Sequence, residues 1–153
     1  MKDRDQPSTL LRYSAPTAFL AMTIGALAWF VFGAIDTAHQ LLTDAEVVSF
    51  NKGVFYMLGV GIGLAVLSFV LVYEYWLGKP LTNTMTTVCT RIGIGSVAVI
   101  FLLPQIVHSQ VENYVKDKGY EICPGASHQW LHSRTIVYVS NMGLCFELTQ
   151  KNK

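Results

Sequence analysis

Apolar residues crowd three stretches of this chain, Ala15 to Ile35, Val54 to Leu77 and Val88 to Val107, and polar residues collect between and after them. Each stretch holds about 20 residues, enough at roughly 1.5 Å per residue to cross about 30 Å of hydrocarbon. The pattern predicts an all-α membrane protein whose three transmembrane helices lie within residues 15–107, flanked by segments 1–14 and 108–153. The first stretch runs past the usual length of a secretory signal and has no small-x-small site before Asp36, so it is expected to stay in the mature chain.

After the third stretch the pattern changes. Thr135 to Val139 is rich in β-branched residues and reads as a strand, and Leu144 to Leu148 reads as a second, with turn chemistry at Asn141 and Gly143 between them. A small C-terminal β-hairpin is therefore expected, preceded by a loop from Asp117 to Ser127 that holds Gly119, Pro124 and Gly125. The stretch from Thr135 to Leu148 is too short for a fourth span.

Composition strengthens the membrane reading: 52% of residues are hydrophobic, 14% are charged, and the mean hydropathy is +0.39. A formal net charge of +1 leaves no basic face for a nucleic acid. Lys2, Arg4 and Arg12 precede the first span, Lys79 lies in the second connection and Arg91 just inside the third span, while Asp36, Asp44 and Glu46 outnumber Lys52 between Asp36 and Gly53. The positive-inside tendency then predicts a cytoplasmic N-terminus and a periplasmic C-terminal segment in a bacterial inner membrane. Lys116, Lys118, Arg134, Lys151 and Lys153 in that last segment weigh against this orientation.

Cys123 and Cys145 lie in the polar segment and Cys89 within the third span. In an oxidising compartment the first two would close a loop of about 23 residues, worth roughly 3 kcal/mol. Two unpaired buried thiols are the alternative. Cys89 is expected to pack as a small apolar residue.

Gly119-Tyr120-Glu121-Ile122-Cys123-Pro124, followed by Tyr138-Val139 and Leu144-Cys145, resembles the C-terminal pattern of an uncharacterised family of small enterobacterial inner-membrane proteins. The resemblance implies about three spans and supports the disulfide, and it carries no activity. It covers mostly the last 35 residues of the sequence. By analogy of build, such proteins also look like immunity proteins for membrane-acting toxins.

Candidate chemistry is sparse. Glu74 and Arg91 are expected to pair at one membrane boundary, unless Arg91 simply snorkels to water. His39 and His108 are set at polar boundaries, and His128 and His132 are spaced for one helical face; zinc and haem sites are both weaker readings than interfacial histidines. Gly59 and Gly63, with Gly93 on the next span, form small-residue faces suited to helix packing or to a partner helix. Tyr120, Trp130 and Tyr138 are the candidates for binding a partner in the periplasm. Phosphate-binding, serine-hydrolase, zinc-protease and Cys-x-x-Cys motifs are missing, so no enzyme and no cofactor is expected. A quinone-coupled disulfide oxidase is the weaker enzymatic rival. The expected function is non-enzymatic binding in the bilayer, as an immunity protein that neutralises a pore-forming type of toxin. The rival is an accessory subunit of an inner-membrane transporter or envelope complex; a homo-oligomer would be compatible with the first reading, a stable resident partner with the second.

Overall fold

The computed structural model describes residues 9–130 and 133–151. The elements follow as α1 (Thr9–Leu42), β1 (Val47–Asn51), α2 (Lys52–Leu71), a π turn (Val72–Trp76), α3 (Asn83–Asp117), β2 (Glu121–Ile122), β3 (His128–Trp130), β4 (Ser133–Val139) and α4 (Met142–Lys151). Three helices are long and apolar enough to cross a membrane, as a multi-pass membrane protein requires. α1 and α3 contain the spans expected in them, and the second expected span, Val54 to Leu77, runs through α2 and the π turn and ends one residue beyond it. With 34 and 35 residues, α1 and α3 extend about 50 Å and outrun the ~30 Å of hydrocarbon. Residues 108–117, expected in the extramembrane segment, therefore continue α3.

Packing of the spans follows from small residues. α2 lies between α1 and α3, which make little contact with each other, so the spans form an open row. Gly61 brings α2 onto α1, where a Cβ would meet Leu27 at 2.5 Å. Gly59 does the same toward α3: a Cβ there would lie 2.8 Å from the Ser96 carbonyl and 2.9 Å from the Ile100 nitrogen. Thr23 and Ser68, both buried, join their hydroxyls at 3.0 Å between α1 and α2. In hydrocarbon such a pair satisfies groups that lipid cannot.

The open row carries a cap at one end. β4 is its central strand, antiparallel to β1 on one side and to β2 and β3 on the other. β1 comes from the α1–α2 connection, so that connection and the C-terminal segment lie on the same side of the spans. Asn51 ends the strand and starts α2, its side chain accepting from Gly53 N at 2.8 Å. The outer edge of β1 is not left open: Gln40 of α1 accepts from Ser49 N at 2.8 Å. At the end of α3, Gly119 takes a φ of +80°, and the Tyr120 and Gly119 amides bond back to Val115 and Lys116 at 2.9 Å. This is a Schellman ending, in which glycine meets the left-handed requirement without a Cβ penalty.

Alternation along the strands divides the cap into layers. Val48, Phe50, Ile136 and Tyr138 face the helix ends, where they bury against Val54 and Phe55 of α2 and Val111 and Val115 of α3. Val137 and Val139 face the other way, onto Cys123, Leu144, Cys145 and Leu148. The sheet thus lies between the spans and α4.

The expected strand at Leu144 to Leu148 is overturned, because those residues belong to helix α4. Met142, Leu144, Phe146 and Leu148 alternate as a strand would, which is what misleads. Asn141 decides otherwise, its side chain accepting from Gly143 N at 3.0 Å and its carbonyl from Leu144 N at 3.1 Å, which opens a helical turn. The observed hairpin joins β3 to β4 instead, so the second strand precedes Thr135 in sequence.

Candidate functional site

The cap's outer surface is built on α4. Leu144, Cys145 and Leu148, spaced one, three and four apart, are the helical face that packs on the sheet. The disulfide between Cys123 and Cys145 fastens this face to the segment after β2, as the sequence predicts. Gly125 lets the same segment meet Thr149 closely, with a Cβ position only 2.8 Å from its methyl. Held in this way, α4 turns Met142 and Phe146 to solvent, 56% and 68% exposed and four residues apart on one face. The sheet separates them from the core at the helix ends. Sequence reading missed this pair, because its period-two pattern suggested a strand; with α4 assigned, the i, i+4 spacing would have found it.

The expected periplasmic binding residues fare differently. Tyr138 is 1% exposed, in the core between sheet and helix ends, and cannot meet a partner. Tyr120 is half-buried and donates its hydroxyl to the Ala45 carbonyl at 2.9 Å, a structural role. For Trp130 only the strand pairing with Ser133 is described. Lys2, Arg4, His132 and Lys153, and the side chains of Arg12, Trp130, His128, Arg134 and Lys151, lie outside the described residues.

A clasp supports the cap beside these tyrosines. Asp44, at a φ of +47°, pairs with Lys118 just beyond α3, and the ammonium also lies 4.9 Å from the Tyr114 ring centroid. The hydrogen bond to Asp44, with help from Tyr114, raises the Lys118 ammonium above its ordinary range. Phe50 stacks with Phe55 at 5.4 Å and with His108 at 5.7 Å, and His108 in turn approaches Glu112 at 3.7 Å. His108 thus belongs to the joint between β1, α2 and α3, whereas His39 is exposed on α1.

At the opposite end of the spans, Glu74 sits in the π turn and lines a groove of about 480 Å³ between α2 and α3. Arg91 does not line it, and among the described residues no ion pair joins the two, so the expected boundary pair is not formed. Residue spacing on α3 explains this: Thr86, Cys89, Thr90 and Gly93 face the groove, and Arg91 projects from another side of the helix. Of the small-residue positions, Gly59 packs α3 closely and a Cβ at Gly63 would lie 3.1 Å from Ser96 Oγ, whereas Gly93 has nothing within 4 Å of a Cβ position. Packing within the chain therefore takes up the first two and leaves the third open.

No curated protein and no solved structure matches this chain. A family match does exist, and it runs over residues 48–146, from β1 through α2, α3 and the sheet into α4. It includes both halves of the cap and the disulfide that ties them, and it covers well over half of the sequence, so the chain belongs to the DUF1240 family, described as a protein of unknown function.

Proposed function

We propose that the protein is a non-enzymatic binding protein of the bacterial inner membrane, and that its cap recognises a membrane-acting toxin as an immunity protein would. The observation that carries the binding reading is the exposed pair Met142 and Phe146, held on the far side of the sheet from the spans by a disulfide. Neighbouring exposed apolar groups on a rigid support are the kind of surface at which a partner can anchor. The toxin is the finer step: a cap fixed to three spans would meet a pore-former where it enters the bilayer. Lys2, Arg4 and Arg12 before the first span and Lys79 after the second support a cytoplasmic N-terminus and a periplasmic cap, while Lys116, Lys118, Arg134, Lys151 and Lys153 on the cap side count against it.

The test is to delete the gene and grow the mutant in contact with its parent. Contact-dependent killing, rescued by the intact gene but not by one encoding Met142→Ser with Phe146→Ser at equal membrane level, is the expected outcome. Equal survival, where the parent kills an unrelated strain, overturns self-protection.

A second reading has its own observation. The open row leaves broad flanks of α1 and α3 to lipid, with Trp29 and Phe32 exposed and with nothing near Gly25 or Gly95, as a docking face for a resident membrane complex would require. An accessory subunit of a transporter or envelope complex would copurify with that complex from unstressed cells in mild detergent.

A further inference from the structure

The groove between α2 and α3 has a shape that selects its occupant. It begins at Gly63 and Ser96, near the middle of the spans, and ends at Glu74, Leu81 and Thr86. From Gly63 to Glu74 the helix rises about 16 Å, half of a ~30 Å hydrocarbon core, so the groove is one leaflet deep. Above it the helices close, because Gly59 admits the Ser96 carbonyl and the Ile100 nitrogen to within 3 Å of a Cβ position. Below it they part, and Gly93 faces open space. The result is a wedge shut at mid-membrane and open at the boundary.

Its volume suits a thin occupant that enters fully, whereas a helix could only rest at the mouth. A helix about 10 Å across occupies roughly 1,200 Å³ over that length. The groove offers about 480 Å³, within the range of small-ligand sites and suited to a single hydrocarbon chain.

Its chemistry points the same way. Thr86 donates its hydroxyl to the Thr82 carbonyl at 3.1 Å, Thr90 to Thr86 at 2.8 Å, and Ser96 to Gly93 at 2.7 Å. These groups are satisfied within α3 and ask nothing of a ligand. Glu74 is the exception: a carboxylate at the open end of the groove, in no ion pair among the described residues. Lys79, in the connection that follows, brings a positive charge to the same end.

We propose that this groove is a binding site for one phospholipid of the leaflet on the Glu74 side, with an acyl chain between α2 and α3 and an ammonium headgroup at Glu74. Charge complementarity selects an amine-bearing lipid over an anionic one, and Lys79 offers a counter-charge to its phosphate. The site is independent of what the cap binds.

The full chain, reconstituted in vesicles of equal phosphatidylethanolamine and phosphatidylglycerol and released into mild detergent, is weighed intact by native mass spectrometry. One retained phosphatidylethanolamine per chain is expected. Glu74→Gln should lower the preference for that lipid roughly two- to fivefold, the scale of one partly exposed ion pair. Gly93→Leu, placed in open space, should abolish retention while leaving the melting temperature unchanged. Lipid-free wild type, an unchanged preference in Glu74→Gln, or a dimer that Gly93→Leu dissociates would each overturn the proposal, the last by assigning the groove to a second copy.

Discussion

Glycines that look alike in the sequence do different work. Gly59 is closed in by α3 backbone, which cannot yield as a flexible side chain can, whereas Gly25 has open space around it. Gly59→Val should therefore separate α2 from α3 and cost about 1–3 kcal/mol as an overpacked site. Gly25→Ala should stay within about 1 kcal/mol of wild type. Reversible unfolding in mixed micelles would measure both, and equal costs would refute the packing asymmetry. Lys118 allows a pH prediction of definite sign. Its ammonium is raised above the ordinary 10.5 by Asp44, so the clasp's contribution is whole below that value and fades only as pH climbs past it. Stability differences between wild type and Lys118→Met should thus be constant from about pH 6 to 9 and shrink in stronger alkali. A difference that collapses on the way to pH 9 would show that Asp44 does not hold the ammonium. The sequence shows the charge of Lys118 and hides its use, since Asp44 lies 74 residues away.

Among the elements, α4 depends most on its surroundings. Ten residues make a marginal helix in water, and the tie at Cys145 with the packing of Leu144 and Leu148 holds it in place. Replacing Cys123 and Cys145 together by Ser should cost the cap about 2–5 kcal/mol. Limited proteolysis would then cut near α4 while the spans stay intact, and a protease pattern identical to wild type would deny the disulfide that role. The cysteine pairing was legible because the two residues share a polar segment apart from Cys89. The helix was not, since apolar alternation from Met142 to Leu148 is a strand signal that local capping at Asn141 and the waiting face of β4 override.

For the molecule as a whole, Phe50 is the joint between cap and spans. It is fully buried, stacks on Phe55 of α2 and His108 of α3, and stands opposite Ile136 in the sheet. Phe50→Ala should cost about 3–5 kcal/mol. Amide exchange should quicken together in β4 and the last turns of α3, and exchange confined to β1 would mean that cap and spans are not coupled. Span number and position could be read from hydropathy alone, because a bilayer about 30 Å thick imposes a minimum length on any apolar helix that crosses it, whereas the further turns of α1 and α3 beyond the expected spans could not. Family resemblance was legible too, at the level of a family of unknown function. Other features are set by contacts between distant parts of the chain. β1 lay hidden in a connection because five residues carry little pattern until β4, from the other end of the chain, pairs with them. The open row of spans, the groove between α2 and α3 and the burial of Tyr138 likewise depend on which faces meet. Periodicity says that a face is apolar; only close packing across the fold selects what covers it.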